Sequence, residues 1–182
     1  LRDFKAVAAA CEATINDLLL ATCSGALRQY LAGHHELPKR SLVAAVPLSL
    51  RESGESAAGN QVTMLPCPLG TDQKTPRARL AAIQAGMTKV KGTKSSFRDL
   101  IPTDYPSLGS PWLMTGLAQL YARSRLADRI PLPANLVISN VPGPPVTLYL
   151  AGARMTTYFP VSIVVHGLAL NITVHSYDGK LH

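Results

Sequence analysis

Two adjacent histidines, His34 and His35, are the first candidates for chemistry in a chain of 182 residues that contains five histidines. Paired histidines followed by an acid a few residues later are typical of a base in acyl transfer, and such a base needs a walled site that excludes water. This pair instead lies between the end of a predicted helix and Leu37–Pro38, in a segment typical of a surface loop. We therefore predict two exposed histidines that interact favourably with a helix C-terminus.

Two further histidines, His166 and His175, lie in or beside apolar segments that we predict as strands. Alternation in the last strand places Asn171, Thr173 and His175 on one face, so His175 could line a cavity. A structural histidine with a hydrogen-bonded ring is the favoured interpretation. The sequence contains no glycine-rich phosphate loop after a strand, no Gly-x-Ser-x-Gly, no paired carboxylates and no metal-ligand spacing. We therefore predict neither a metal nor a bound cofactor.

The composition limits the class of protein. Hydrophobic residues make up 47% and charged residues 16% of the chain, which is typical of a packed globular fold. No apolar run reaches the roughly 20 residues of a membrane-spanning helix. Cys11, Cys23 and Cys67 have no zinc or disulfide spacing, so we expect buried thiols in a reducing compartment. The chain begins without Met and stops inside a predicted strand, and we expect it to be part of a longer protein.

The net charge of +7 is concentrated in one segment. No Asp or Glu lies between Gln73 and Arg98, and the basic residues there are Lys74, Arg77, Arg79, Lys89, Lys91, Lys94 and Arg98. Such a segment could contact nucleic acid, anionic lipid or a phosphorylated cofactor. A solvated helix face explains it equally well, and both interpretations stay open here.

The first clear element is a helix in TINDLLLATCSGALRQYLAG, residues 14–33. Thr14 is a favourable N-cap, Asp17 completes a capping-box pattern, and Gly33 suits the C-terminal cap. The helical spacing predicts an apolar stripe formed by Ile15, Leu19, Cys23, Leu27 and Leu31.

Two more helices are predicted. The helix in the basic segment has its own apolar stripe, formed by Leu80, Ile83, Met87 and Val90. The other helix covers SPWLMTGLAQLYARSRL, residues 110–126, with Ser110 as its cap.

The remaining apolar segments predict strands. LVAAVPLSL, residues 42–50, indicates a strand buried on both faces. NQVTMLPCPLG, residues 60–70, indicates an edge strand because Pro66 and Pro68 cannot donate to a ladder. The last third predicts four strands, in NLVISNV (135–141), TLYLAGARMTTYF (147–159), VSIVVHG (161–167) and LALNITVHSYDG (168–179). This order favours an α/β fold in which helices pack on a mixed sheet.

The segment SNVPGPP, residues 139–145, combines a strand end with a stiff connection. Pro142–Gly143 is typical of a type II turn in which glycine supplies a positive φ. Such a turn would hold Ser139, Asn140 and nearby backbone amides in fixed positions. An ordinary rigid connection between strands is the alternative.

Six segments, taken in order, resemble a known family. They are INDLLLA (15–21), LVAAVPLSLR (42–51), GNQVTMLPCPL (59–69), SNVPGP (139–144), LYLAGARM (148–155) and LNITVHSYDGKL (170–181). This pattern resembles the C-terminal half of bacterial wax ester synthase/diacylglycerol acyltransferases. The resemblance implies one lobe, residues 1–182, of a fold similar to CoA-dependent acyltransferases and condensation domains. It also implies a tunnel between two lobes that receives acyl-CoA and a long-chain alcohol or diacylglycerol.

In that family a histidine of an HHxxxDG motif in the N-terminal lobe is thought to deprotonate the acceptor hydroxyl. This chain instead has HHELPKR, with Lys39 and Arg40 where the motif requires Asp and Gly. The pair also follows Asn16–Asp17, whereas the motif should precede that pair. The comparison indicates that His34 and His35 are not the catalytic histidines.

The resemblance also implies site residues. Asn16–Asp17 matches the family's ND motif: Asn16 could orient the base or bind the developing oxyanion, and Asp17 is favoured as a capping residue near the site. The other implied tunnel-lining residues are Ser139, Asn140, Pro142 and Gly143. Contact with the phosphates of CoA or with lipid phosphate is one candidate role for Lys89, Lys91 and Lys94, although no motif match supports it, and a solvated helix face stays the alternative.

These implications predict an O-acyltransferase lobe whose partners are the N-terminal lobe of the same protein, acyl-CoA and the acceptor. We expect a cytoplasmic protein, with attachment to the inner membrane or to lipid inclusions left open, and no nucleic-acid partner. A non-catalytic lobe that binds a carrier or partner protein is the alternative. A nucleic-acid binder that uses the basic segment is a weaker third hypothesis.

Overall fold

The computed structural model describes residues 1–49, 62–92, 116, 119–120, 133–164 and 167–182, with the backbone alone at residues 48, 49, 62 and 90–92. Within these ranges the helices are α1 (Arg2–Ala10), α2 (Ile15–Gly33) and α3 (Pro76–Gly92). The strands are β1 (Val43–Ser49), β2 (Val62–Pro68), β3 (Leu136–Val141), β4 (Tyr149–Leu150), β5 (Ala153–Arg154), β6 (Leu170–Tyr177) and β7 (Lys180–Leu181).

Five of these strands form one mixed sheet in the order β2-β1-β3-β6-β7. The central strands β1, β3 and β6 are parallel to one another, whereas β2 and β7 pair antiparallel with β1 and β6. The prediction of a mixed sheet with packed helices is confirmed. The prediction that β2 is an edge strand is also confirmed, and Pro66 and Pro68 lie exposed on the same side of it.

Helices α2 and α3 cover one side of the sheet. The apolar core on this side joins Leu20 of α2 and Ile83 of α3 to side chains from the central strands. The strand residues buried there include Ala44, Val46, Leu136 and Ile138. The alternate residues of β1 are only half-buried, so the prediction of a strand buried on both faces is wrong for the described part of the chain.

The start of α2 follows the predicted capping box. Thr14 Oγ1 accepts a hydrogen bond from the Asp17 backbone N–H at 3.1 Å, and Asp17 Oδ2 accepts one from the Thr14 N–H at 3.0 Å. Two orphan amides are thereby satisfied at the helix N-terminus. The stripe on this helix is confirmed at Leu19, which is buried, and at Cys23 and Leu27, which pack against the core.

The sequence-based description of other elements is less accurate. Helix α1 was not predicted, and 147–159 is not one strand but a hairpin of β4 and β5 around Ala151–Gly152, both with positive φ. Residues 161–164 are not a strand, contrary to prediction, and residues 165–166 lie outside the described residues. Of the predicted helix 110–126, the described residues Gly116, Gln119 and Leu120 are helical.

The capping box gives a stability prediction. Thr14→Ala removes the side-chain acceptor of the Asp17 N–H and should lower the free energy of unfolding by about 1 kcal/mol. Thr22→Ala is the matched control, because its hydroxyl bonds only the Leu18 carbonyl on the exposed surface of α2. Its effect should lie within about 0.5 kcal/mol of zero. Urea denaturation of both variants checks this, and equal losses would contradict a specific role for the cap.

Candidate functional site

A strip of hydrogen-bonded polar side chains lies on the side of the sheet that faces away from the helices. Ser139 pairs with Thr173 across β3 and β6, and its hydroxyl donates to Thr173 Oγ1 at 3.0 Å. Thr173 Oγ1 in turn donates to Asn171 Oδ1 at 3.3 Å and lies 2.8 Å from Ser162 Oγ. The strip therefore contains hydroxyl and amide groups that could orient a polar group of a ligand.

The strip also anchors the segment that follows β5. Besides the contact of Ser162 with Thr173, the side-chain amide of Asn171 donates to the Ile163 carbonyl at 2.9 Å. The residues that flank Ser162 point away from the sheet: Val161 is 96% exposed and Ile163 is 84% exposed. The segment thus presents the side chains of Val161 and Ile163 outward while the Ser162 hydroxyl joins the polar strip.

Gly143 crosses β6 at very close range. A Cβ at this position would overlap the imidazole of His175 and the carbonyl oxygen of Ser176. The Gly143 N–H donates to Ser176 Oγ at 3.0 Å. Its φ is not in the positive range, so the prediction of a type II turn with a left-handed glycine is wrong here. Glycine is required at this position because the backbone comes too close to β6 for any side chain.

His175 lies beneath this crossing. Its ring packs against Tyr158 with 4.4 Å between centroids, and its backbone exchanges two 2.8 Å hydrogen bonds with His182. Nδ1 is buried and has no hydrogen-bond partner among the described residues. The prediction of a hydrogen-bonded ring therefore stays a prediction, and packing against Tyr158 is the ring contact that the structure shows. His166 lies outside the described residues.

The ND pair lies at the N-terminus of α2. Asp17 is buried, and its Oδ2 also accepts a 2.7 Å hydrogen bond from the Thr14 hydroxyl, whereas Oδ1 is buried without a partner among the described residues. Asn16 is half-buried in the first turn. Burial raises the pKa of the Cys67 thiol to about 11, and the Asp17 carboxylate contributes to the same rise. Asp17 thus faces β2 and carries out the capping role that its spacing predicts.

The structure separates the other implied site residues by face. Ser139 belongs to the polar strip, but Asn140 pairs with Val174, which packs against the core on the helix-covered side. Pro142 is exposed just before the Gly143 crossing. No hydrogen bond among the described residues joins Asn16 or Asp17 to residues 139–143. The supporting role of Asn16 and the active-site or tunnel-lining role of the other five residues stay predictions.

The basic segment divides in the structure. Lys74, Arg77 and Lys89 are exposed, as a solvated face requires, while the side chain of Lys91 and all of Lys94 lie outside the described residues. Arg79 is different, because it is only 8% exposed. It lies four residues before Ile83 and thus extends the apolar stripe toward the helix N-terminus, a spacing from which its burial could have been predicted.

The predicted position of the first histidine pair is confirmed. His34 and His35 are exposed at the end of α2, and His34 Nδ1 lies 2.8 Å from the Tyr30 carbonyl oxygen.

Among the described residues no cluster of three His, Cys, Asp or Glu side chains could hold a metal. No single helix among the described residues is long and apolar enough to span a membrane. The bent pair of α1 and α2 meets the requirements of length and composition for a span, and only those.

Comparisons with known proteins give matches to one family. A family model described as the WS/DGAT C-terminal domain matches residues 58–182. The chain is 40% identical over 178 residues to the O-acyltransferase WSD of Acinetobacter baylyi, a match that covers 98% of this chain and 37% of that protein. It is similar in structure to the wax ester synthase/diacylglycerol acyltransferase from Marinobacter aquaeolei VT8, with a TM-score of 0.69 and 32% identity.

Each match covers nearly all of this chain but only a small part of the relative. The structural match covers 100% of this chain but 39% of the Marinobacter chain. The chain spans little more than a third of the length of the curated relatives it matches, for example 35% of one and 38% of another.

The Gly143 crossing gives a prediction about the strip. Gly143→Ala should lower the free energy of unfolding by about 1–3 kcal/mol, because the new methyl group must displace the Ser176 backbone or the His175 ring. Gly33→Ala is the control, since nothing lies within 4 Å of the place its methyl group would take and its φ is ordinary. Hydrogen exchange at the Asp178 amide, which bonds the Pro144 carbonyl, should accelerate only in the Gly143 variant. Unchanged exchange and stability would show that the crossing adapts freely.

Proposed function

Because the chain belongs to the WS/DGAT C-terminal domain family, we propose that it is the C-terminal lobe of an O-acyltransferase that joins a fatty acyl group to a long-chain alcohol or diacylglycerol. The acyl donor in this proposal is acyl-CoA. The remainder of the protein supplies a second lobe with the histidine base, and the substrates meet between the two lobes.

The exposed apolar surface around the polar strip is the observation that carries this proposal. Val161 and Ile163 are exposed on either side of Ser162, whose hydroxyl joins the polar strip, and Phe159 is exposed three residues earlier. Monomeric soluble proteins rarely expose contiguous apolar surface of this kind. A wall for an aliphatic substrate needs such a combination of apolar area with a few placed polar groups.

The proposed reaction divides its steps between the lobes. The histidine of the second lobe takes the proton of the acceptor hydroxyl, whose oxygen attacks the thioester carbonyl. The new C–O bond forms and the C–S bond breaks, and the proton passes from the histidine to the departing CoA sulfur. The ester and CoA are the products, so neither oxidant nor reductant is needed.

Asn16 is the residue of this chain that we propose as a support for that step. Its half-buried amide at the start of α2 could donate to the base or to the developing oxyanion. One such donor contributes about 3 kcal/mol to a transition state. Asp17 is the poorer candidate, because Thr14 already occupies its Oδ2.

The remaining contacts of the lobe are part of the same proposal. Lys89, Lys91 and Lys94 would meet the phosphates of CoA or of an anionic lipid surface, where each lysine acts as a point charge. The protein would be cytoplasmic, with its lipid substrates drawn from a membrane or a lipid inclusion. A steep fall in acyl-CoA affinity with rising salt would support the contact with CoA phosphates.

The first test compares the 182-residue chain with the complete protein. Each is supplied with palmitoyl-CoA and either hexadecanol or diacylglycerol, and thiol release and ester are measured. We expect ester from the complete protein and none from the chain alone. An inactive complete protein that binds an acyl-carrier or partner protein would favour a non-catalytic lobe. Turnover by the chain alone would place the base within it and make His35, His166 and His175 the residues to substitute.

A second test addresses Asn16. In the complete protein, Asn16→Ala should lower kcat about 100-fold, since it removes a donor needed mainly in the transition state. The free energy of unfolding should change by less than about 0.5 kcal/mol. Gln29→Ala, on the exposed surface of the same helix, is the control and should leave both quantities unchanged. Wild-type kinetics for Asn16→Ala would remove this residue from the mechanism.

A further inference from the structure

A cavity of about 730 Å³ lies between α1, α2 and α3, on the helix-covered side of the sheet. This volume lies in the range of sites that hold a small molecule. All three helices contribute aliphatic side chains to its walls, namely Val7, Ala10, Leu18, Ala21, Leu80 and Ala81. The cavity is therefore suited to an aliphatic chain.

A buried guanidinium also lines this cavity. Arg79 is 8% exposed, and its Nη1 donates to the backbone carbonyls of Gln73 and Lys74 at 3.1 and 3.2 Å. No carboxylate forms an ion pair with Arg79 within the part of the chain that is described. A buried charge without a counter-charge is strongly unfavourable, so this arginine has an unmet requirement for an anion.

The edge of the guanidinium formed by Nε and Nη2 carries no hydrogen bond among the described residues. Nε is buried without a hydrogen-bond partner, and no hydrogen bond of Nη2 occurs among the described residues. Nη2 lies 3.4 Å from the position that a Cβ on Gly25 would take, and Gly25 also lines the cavity. Two parallel N–H groups of this kind match the two oxygens of a carboxylate.

We propose that this cavity binds a fatty acid, with its carboxylate on the Nε–Nη2 edge of Arg79 and its chain along the aliphatic walls. The exposed cation of Arg77 and the positive end of α3 favour the same ligand charge. Glu12 is the only carboxylate among the described lining residues, and it is exposed. The proposal concerns a second lipid-binding site and does not rest on acyl transfer.

The test measures binding of laurate to the complete protein by calorimetry, with 1-dodecanol and inorganic phosphate as matched probes. Arg79→Met removes the charge and keeps an unbranched apolar side chain about as long as the aliphatic stem of arginine. Ala81→Trp fills the cavity from the exposed surface of α3, so it keeps the proposal testable if Arg79→Met fails to fold. Ala85→Trp, one turn further along the same exposed surface and outside the cavity, is the control.

We expect saturable laurate binding that each of Arg79→Met and Ala81→Trp weakens at least tenfold, while Ala85→Trp leaves it unchanged. Cys11 supplies a second readout, because it is exposed and lines the cavity. Laurate should slow the alkylation of Cys11, followed by peptide mass spectrometry, whereas phosphate at the same concentration should not. Cys23 and Cys67 should react slowly in all samples, since burial raises the pKa of both thiols.

Several outcomes would overturn the proposal. One is the absence of saturable laurate binding in the complete protein, as expected if a carboxylate elsewhere in it already pairs with Arg79. Another is laurate binding that neither Arg79→Met nor Ala81→Trp affects, which would place the ligand elsewhere. Dodecanol binding as tight as that of laurate would exclude carboxylate recognition, and equal protection of Cys11 by phosphate would indicate a site for a bare anion.

Discussion

The parallel pairing of β3 with β6 sets Ile138 opposite Ile172. This register determines which side chains lie on each side of the sheet. Ile138 is buried and Ile172 packs against the core beneath the helices. Because side chains alternate along a strand, Ser139 and Thr173 must then face the opposite side. A slip of β3 by one residue would bury the Ser139 hydroxyl under the helices and expose Ile138. Apolar packing on one side of the sheet thus places the polar strip on the other.

The connection from β2 to α3 is organised by polar contacts instead. Arg28 of α2 donates to the Thr71 carbonyl, Thr71 Oγ1 accepts the Leu42 N–H at 2.8 Å, and Gly70 turns the chain with a φ of +64°. Arg79 closes the same connection through two carbonyls. These bonds fix the first turn of α3 against α2 and β1. They also hold the Arg79 guanidinium in its buried position, where its Nε has no hydrogen-bond partner in the part of the chain that is described.

Sequence reasoning succeeded where a feature depends on neighbours a few residues away. The Thr14–Asp17 cap follows from spacing within one helical turn, and the edge position of β2 follows from the missing amide donors of Pro66 and Pro68. It failed where distant segments decide the conformation. Gly143 is needed because β6 passes beneath it, and the residues next to Gly143 in the sequence do not indicate that approach. The same limit applies to the surroundings of Arg79, because α2 supplies Gly25 beside its guanidinium.

The candidate site shows the same division. The motif containing Ser139 and Asn140 could be identified from sequence, but only the register of β3 reveals that one residue faces the polar strip and the other the helices. The histidines lead to a related conclusion. His34 and His35 are exposed at a helix end, and the ring of His175 is held by Tyr158 with its Nδ1 buried.

Among the histidines of the described residues, His182 completes this pattern, because its Nε2 is also buried without a partner and its ring packs edge-on against Phe159. A general base must reach the proton it removes at about 2.6–3.2 Å while staying close to its working protonation state. The rings of His175 and His182 are held by packing, and His34 and His35 lie at an exposed end of α2. In our proposal the described part of this lobe positions substrates, and the proton transfer uses an imidazole from outside it.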